Sequence, residues 1–203
     1  HYMLHSPSLH VSFPVFAMGE SFNASSKDVC VSWLPLYHYM GLIGAWLGSL
    51  YFGALYVVMS PLSFLARPQR WLWAIHRYHG TLSASPNFGY EYCLHRVKQS
   101  DFKGLDLSSW RAAFNGAEAV SPETLRRFIN YFTPFGFNEK SMMPVYGLAE
   151  SSVGVAFPPL ERGVLIDNIE RDIFMQTGKA LPAKVDDLHA LHFVSSGMPL
   201  REH

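Results

Sequence analysis

The sequence has little charge, little cysteine and no excess of acidic or basic side chains. Charged residues make up 16% of the 203 residues, below the roughly 25% of an average soluble domain. Sixteen Lys and Arg balance sixteen Asp and Glu, so the chain lacks the basic surface that binds nucleic acid. Two cysteines are too few for a disulfide framework, have no metal-ligand spacing and fit a reducing, cytoplasmic compartment. Hydrophobic residues reach 49%, which excludes a disordered chain.

One long segment contains no charged residue at all. No Asp, Glu, Lys or Arg occurs between Asp28 and Arg67, and residues 40–59 are long and apolar enough to span a bilayer. No cluster of Lys or Arg flanks this stretch, however, and its pattern changes at Gly53 from helical to β-branched. We therefore predict a buried helix, a glycine turn and a buried strand, and no membrane span. A small membrane protein built on this stretch is the alternative.

Strands and helices alternate along the rest of the chain. The pattern predicts strands over 29–33, 54–59, 81–85, 111–114, 143–147, 153–157 and 191–196. It predicts helices over 40–52, 68–79, 88–97 and 122–132, the last capped by Ser121, whereas 160–190 is polar and without a regular pattern. This alternation is typical of a layered α/β domain with a mainly parallel sheet.

Three loops follow predicted strands and carry unusual residues. In parallel sheets, ligands bind at the loops that follow the carboxyl ends of strands. The first loop, WLPLYHYMGLIG, contains His38 between Tyr37 and Tyr39. The second, FNGAEAVSPE, contains Asn115, Gly116, Ala117 and Glu118. The third, PVYGLAESS, contains Tyr146, Gly147, Leu148, Ala149 and Glu150.

The residue types in these loops suit a planar ligand with phosphates. Small residues let the ligand approach the backbone, Tyr146 offers a face for stacking, and Glu150 is a hard oxygen donor for Mg²⁺. Each residue also has an ordinary interpretation. Asn115-Gly116 could be a plain turn, Tyr146 a core aromatic, Glu150 a solvated or capping carboxylate, and His38 a hydrogen-bonded core histidine. Spacing alone identifies no reaction.

Five segments, in order, resemble a known superfamily. They are VSWLPLYH, PLSFLARPQRWLWAIHRY, SASPNFGYEYC, DLSSWRAAFNGAEAVSPETLRRF and MPVYGLAESS. Together they resemble the adenylate-forming enzymes (acyl-CoA synthetases, luciferases and adenylation domains), and the fatty-acyl-AMP ligases in particular. The resemblance implies a layered αβαβα-type domain, of which residues 18–203 would be an internal part. Residues 1–17 form a divergent N-terminal segment, and 161–191 resemble the family's insertion, thought to block the coenzyme A route.

The resemblance implies an activity and its partners. Such ligases use ATP and Mg²⁺ to convert a fatty acid to an acyl-adenylate, releasing pyrophosphate. The acyl group then passes to an acyl carrier protein or to a polyketide or peptide synthase module. Two alternatives stay open: a fragment of a long-chain acyl-CoA ligase, or a catalytically inactive truncated or degenerate copy that only binds ligands or has no function.

The resemblance also assigns roles to residues. The adenine site would comprise Asn115, Gly116, Ala117, Glu118, Tyr146, Gly147, Leu148 and Ala149, with Tyr146 stacked on the base. The catalytic residues would be His38, beside the acyl carboxylate, and Glu150, which would bind Mg²⁺. The fatty-acyl tunnel would be lined by Phe88, Gly89 and Tyr90.

Three departures from the family pattern affect these expectations. The sequence does not contain the phosphate loop that precedes this region in the family. It also lacks the family's segments that follow Arg201, including the C-terminal domain. Tyr39 stands where the family usually has Asp. We therefore expect the isolated chain to make no detectable acyl-adenylate. We also expect some of its apolar surface to be exposed, which favours self-association.

Overall fold

A five-stranded parallel sheet organises the chain. The computed structural model describes residues 7–151, 153–184 and 186–200. The strands are β1 (Val29–Ser32), β2 (Leu55–Val58), β3 (Leu82–Ser85), β4 (Ala112–Asn115) and β5 (Met142–Pro144). Their order is β2-β1-β3-β4-β5, and every neighbouring pair is parallel. The predicted α/β class with a mainly parallel sheet is confirmed.

Helices connect and cover these strands. They are α1 (Pro7–Ser21), α2 (Gly48–Phe52), α3 (Pro61–Ala66), α4 (Gln69–Tyr78), α5 (Asn87–Arg96), α6 (Pro122–Phe132) and α7 (Arg171–Thr177), and a π-helix over Met40–Leu47 leads directly into α2. The sequence pattern did not predict α1. In the part of the chain that the structure describes, no helix is both long and apolar enough to cross a membrane.

The charge-free segment divides at the predicted position. Gly53 ends α2 with a φ of 68°, the left-handed conformation that glycine adopts without strain. The chain then enters β2, which lies at the edge of the sheet beside β1. The predicted order of helix, turn and strand is confirmed, but the predicted burial is wrong. Leu55 and Val58 of the edge strand β2 are more than half exposed, and so is Leu50 of α2.

Local capping signals explain where α4 and α6 begin. The Ser121 hydroxyl accepts the Thr124 backbone N–H at 3.2 Å, and Pro122 occupies the first turn of α6, as predicted. Pro68 directly precedes α4. At its end, His79 and not Gly80 adopts the left-handed conformation, with a φ of 50°. Gly80 is needed for space instead, because a Cβ there would lie 2.7 Å from the Val31 side chain.

One prediction for the C-terminal part is wrong. Residues 160–190 contain strand β7 (Ile166–Ile169) and helix α7, although this stretch shows no regular pattern in sequence. The strand predicted over 191–196 is confirmed as β8 (Leu191–Val194), which pairs antiparallel with β7 outside the main sheet. The partner of β8 lies some twenty residues away in sequence, so no local signal revealed the pair. Strands β6 (Ala156–Phe157) and β9 (Met198–Pro199) form another short antiparallel pair.

Buried side chains form a separate cluster on each face of the main sheet. One cluster is dominated by aromatic residues from α3 to α6 and the chain around them, including Phe64, Trp71, Tyr90, Trp110 and Phe128. The other is smaller and includes Met18, Phe114, Met143 and Phe157. Alternation along β4 explains the split, since Ala113 belongs to the first cluster and Phe114 to the second. The candidate site lies on the face of the smaller cluster.

Candidate functional site

A cleft of about 280 Å³ opens where β4 and β5 end. Its wall consists of Met18, Phe22, His38, Tyr39, Met40, Gly44, Ala84, Phe114, Ala117, Val145, Tyr146, Gly147, Leu148, Ala149, Val153, Gly154 and Phe157. The loops after β4 and β5 thus meet in one cleft, because these neighbouring strands are parallel and place their carboxyl ends at one edge. The sequence predicted this meeting.

The loop after β4 contributes one residue to the cleft wall. Ala117 lines the cleft with a φ of 68°, a strained conformation for a residue other than glycine. Gly116 is buried, and a Cβ there would lie 2.8 Å from the Val145 carbonyl oxygen, so a side chain would push the two loops apart. Asn115 is fully buried. Its Nδ2 lies 3.4 Å from the Asn87 Oδ1, and its Oδ1 has no partner among the described residues.

Glu118 contacts a helix and does not line the cleft. Its Oε1 accepts the backbone N–H of Phe88 at 2.6 Å, near the start of α5. The side chain is otherwise exposed. The loop after β4 is therefore attached to α5 by a charge-assisted hydrogen bond.

The loop after β5 presents an aromatic ring to the cleft. Tyr146 exchanges backbone hydrogen bonds with Ala156, which hold its main chain, while the residue is 55% exposed. The interpretation of Tyr146 as a core aromatic is therefore wrong. Gly147 has no room for a side chain, because a Cβ would collide with the Val153 carbonyl. Leu148 and Ala149 line the cleft beside it.

Glu150 directly follows Ala149, a residue of the cleft wall. It belongs to a single 3₁₀ turn, Ala149–Ser151, and its side chain is exposed and outside the cleft wall. The described residues contain no cluster of His, Cys, Asp and Glu that could hold a metal ion by itself. A lone exposed carboxylate fits Mg²⁺ only when substrate phosphates supply other ligands, which is a common arrangement for this ion.

His38 is exposed and lines the cleft, so its interpretation as a core histidine is wrong. Its Nδ1 accepts the Met40 backbone N–H at 3.2 Å, and the neutral ring therefore carries its proton on Nε2. Tyr39 lines the same wall. Among the described wall residues, His38 has the only basic side chain and no carboxylate occurs, so the cleft is largely apolar.

The residues predicted for an acyl tunnel do not line this cleft. Tyr90 is fully buried, and its hydroxyl donates to the Phe114 carbonyl at 2.9 Å. Gly89 is buried against Ser85, and Phe88 is half exposed with its ring edge-on to Trp33. The role of these residues in acyl binding stays a prediction, and Tyr90 contributes to the core.

Sequence reasoning missed the apolar side of the cleft. Met18 and Phe22 come from α1 and the residues after it, where no motif marked them. Phe114 could have been found, because it immediately precedes Asn115 and strand alternation places it on the face opposite Ala113. Phe157 comes from the short strand β6.

A profile of the AMP-binding enzyme family matches residues 3–186. The chain belongs to the AMP-binding enzyme family. Within this family, the chain is 45% identical over 137 residues to the medium-chain-fatty-acid–[acyl-carrier-protein] ligase JamA of Moorena producens. That match covers 68% of this chain and 23% of the relative, so the chain spans only about a quarter of that relative's length.

Solved structures agree with this membership. A fatty acyl-adenylate ligase from Legionella pneumophila, in complex with acyl adenylate and pyrophosphate, superposes with a TM-score of 0.91 at 38% identity. The match covers 95% of this chain and 34% of that one. An adenylation domain of a keto acid-selecting peptide synthetase module, bound to keto acyl adenylate, gives a TM-score of 0.85 at 28% identity, covering 94% and 35%. The predicted resemblance to fatty-acyl-AMP ligases is confirmed.

Proposed function

We propose that this chain supplies the adenylate-binding cleft of a ligase that activates fatty acids with ATP. The single observation that carries the proposal is the meeting of Ala117 and Tyr146 in one largely apolar cleft at the carboxyl edge of the sheet. An acyl-adenylate needs both an aromatic face for its base and an apolar wall for its chain. The similarity to a ligase that holds an acyl adenylate supports the same ligand.

The adenine would lie between the Tyr146 ring and the backbone of the loop after β4. The half-exposed ring is free to stack, and Gly116 and Ala117 have no bulky side chain to obstruct the base. Gly147, Leu148 and Ala149 would border the base on the Tyr146 side. Asn115 is buried and does not line the cleft, so it would support the loop after β4 without contacting the base.

The reacting carboxylate would lie near His38. The Nε2–H of this side chain is directed by the hydrogen bond that Nδ1 accepts, and it is available to donate to an acyl oxygen. Glu150 would hold Mg²⁺ together with the nucleotide phosphates, and the ion would supply positive charge against the charge that develops during acyl transfer. Tyr39 contributes a phenol to this wall, where the family usually has a carboxylate.

The fatty-acyl chain would lie against Met18, Phe22 and Phe114. A smaller apolar cavity of about 50 Å³ adjoins the cleft and shares Phe22, Gly44, Ala84 and Phe114 with it. Its far wall includes Cys30, whose pKa burial raises to about 11, so this thiol is neutral and behaves as an apolar group. Together, the two spaces suit an unbranched apolar tail.

The acyl acceptor would be an acyl carrier protein or a synthase module. The name of the Moorena relative supports a carrier protein as acceptor. Residues 161–191, which form β7, α7 and the chain around them, would be the segment that disfavours coenzyme A. An acyl-CoA ligase is the second candidate. The cytoplasmic location and the assignment of 18–203 to one partial adenylation domain stay predictions.

Titration of a non-hydrolysable dodecanoyl-adenylate analogue into the chain tests the proposal. We expect saturable binding to the chain, loss of at least about tenfold in affinity for Tyr146→Ala, and retention by Tyr146→Phe, since stacking needs only the ring. Tyr78→Ala is the matched control, because Tyr78 is a similarly exposed tyrosine on α4, away from the cleft. No binding, or equal affinities for all variants, would contradict the proposal.

A further inference from the structure

One side chain at the start of α5 contacts both ends of the loop that carries Ala117. The Asn87 Oδ1 accepts the Ser121 backbone N–H at 3.1 Å and faces the Asn115 Nδ2 at 3.4 Å. Because a backbone N–H can only donate, it fixes which atom of the Asn87 amide is the oxygen. The Asn87 Nδ2 is then directed at the Thr124 hydroxyl, 3.5 Å away, at the start of α6.

A second contact runs in the opposite direction, from the loop to the helix. The Glu118 carboxylate accepts the Phe88 backbone N–H at 2.6 Å. Pro86 occupies the N-cap position of α5 and makes no side-chain capping bond, so the first turn of this helix takes its acceptor from the loop. A carboxylate in this position also interacts favourably with the positive end of the helix dipole.

The loop between these contacts is strained. Ala117 has a φ of 68°, and such conformations persist in non-glycine residues only where the surroundings hold them. On the side of β5, Gly116 packs tightly against the loop that follows this strand, because a Cβ at this position would lie 2.8 Å from the Val145 carbonyl oxygen. Asn87 and Glu118 hold it from the side of α5. Ala117 in turn forms part of the cleft wall.

We propose that Asn87 and Glu118 are positioning residues that keep the Ala117 backbone in the conformation required for adenylate binding. They act through the loop, and neither lines the cleft. Glu118 therefore serves the nucleotide site by holding its wall, not by contacting the base. This inference rests on the proposed function where it is tested by ligand binding. A second test, by amide hydrogen exchange, needs no ligand.

Amide hydrogen exchange at Phe88 and Ser121 measures whether the two contacts act together. Glu118→Ala removes the acceptor of Phe88, and we expect it also to speed exchange at Ser121 by several-fold. Asn87→Leu removes the acceptor of Ser121, and we expect it also to speed exchange at Phe88. Glu118→Gln retains an acceptor oxygen and should restore the slow exchange at both amides. If each substitution speeds exchange only at the amide whose acceptor it removes, Asn87 and Glu118 do not hold the loop together. That result would overturn the proposal.

Analogue binding in a double-mutant cycle tests the link to Ala117. We expect Glu118→Ala to weaken binding of the dodecanoyl-adenylate analogue about tenfold, the scale of one hydrogen bond to a charged group. Ala117→Gly removes the strain, so in its background the further change Glu118→Ala should cost clearly less. Glu123→Ala is the control, since Glu123 is an exposed carboxylate of α6 whose only ion-pair partner among the described residues is Arg126.

The outcomes separate the two proposals. Equal losses from Glu118→Ala in the unmodified chain and in the Ala117→Gly variant would overturn the positioning role while leaving the proposed function intact. Absence of analogue binding by the unmodified chain would contradict the proposed function, and the exchange experiment would still decide whether Asn87 and Glu118 hold the loop.

Discussion

Arg111 forms a bidentate ion pair with Asp28, although the two residues are 83 positions apart in the sequence. The Nε and Nη2 atoms lie 2.8 Å from Oδ1 and Oδ2 of the carboxylate, which is almost fully buried. Arg111, which directly precedes β4, also donates to the Phe22 carbonyl at 2.8 Å. This hydrogen bond holds the backbone that follows α1. Because Phe22 lines the cleft, this ion pair positions part of the apolar wall.

Asp28→Asn should lower the free energy of unfolding by about 2–3 kcal/mol, the range for lost hydrogen bonds to a charged buried group. In the wild-type chain, the Asp28 carboxylate accepts hydrogen bonds from Arg111 and, at 2.9 Å, from the Ser25 backbone N–H. In the variant, the NH₂ group of the new amide would face these donors and could not accept from them. Urea unfolding followed by circular dichroism measures the change. Asp167→Asn, at an exposed position of β7, should change stability by less than about 0.5 kcal/mol. Equal effects would contradict the structural role of the pair.

The same pair should make stability depend on acid pH. Burial raises the pKa of Asp28, but hydrogen bonds from Arg111 and Thr81 outweigh burial and hold it below its ordinary value. A carboxyl with a lowered folded pKa stabilises the protein fully above its unfolded pKa, near about 3.9, and loses this contribution as the pH falls through the folded value. The unfolding free energy of the wild-type chain should therefore drop below about pH 4 more steeply than that of Asp28→Asn. Parallel pH profiles would rule this out.

Gly147→Ala should destabilise the chain by about 1–3 kcal/mol, the usual cost of forcing a side chain into filled space. The obstacle is the Val153 carbonyl, which is backbone and cannot rotate away as a side chain could. Gly44→Ala makes a suitable comparison. Its Cβ would meet only the Val153 side chain at 3.9 Å, so thermal unfolding should show no loss of stability. A neutral Gly147→Ala would mean that the loop after β5 has room that the structure does not show.

Tyr90→Phe tests whether Tyr90 belongs to the core. Loss of its buried hydrogen bond to the Phe114 carbonyl should cost about 1–2 kcal/mol and leave the affinity for the dodecanoyl-adenylate analogue unchanged. Tyr92→Phe removes a similar bond, from the Tyr92 hydroxyl to the Leu65 carbonyl, at an exposed position and should cost less. Weaker analogue binding by Tyr90→Phe, with unchanged stability, would instead support the predicted role in an acyl tunnel.

Features encoded by neighbouring residues could be predicted from the sequence. Gly53 ends α2 and Ser121-Pro122 begins α6 because a turn glycine or a capping hydroxyl acts within a few residues. The meeting of Ala117 and Tyr146 was also predictable, since parallel strands place their following loops at the same edge.

Features set by distant contacts could not be predicted in this way. The pairing of β7 with β8 joins two segments that show no common local pattern. Tyr90 lies on a helix with apolar residues on more than one side, and only the packing of α5 against the sheet decides that its ring is buried. The attachment of Glu118 to Phe88 likewise depends on the approach of α5 to the loop after β4.

The most direct test of the proposed adenylate cleft is a crystal structure of the chain with the dodecanoyl-adenylate analogue. The adenine ring should stack on Tyr146 at about 3.5–4 Å, the separation of atoms in van der Waals contact, with the Ala117 backbone on its other side. The acyl chain should lie against Met18, Phe22 and Phe114. An analogue bound with its base away from Tyr146, or outside the cleft between the loops that follow β4 and β5, would contradict the proposed function.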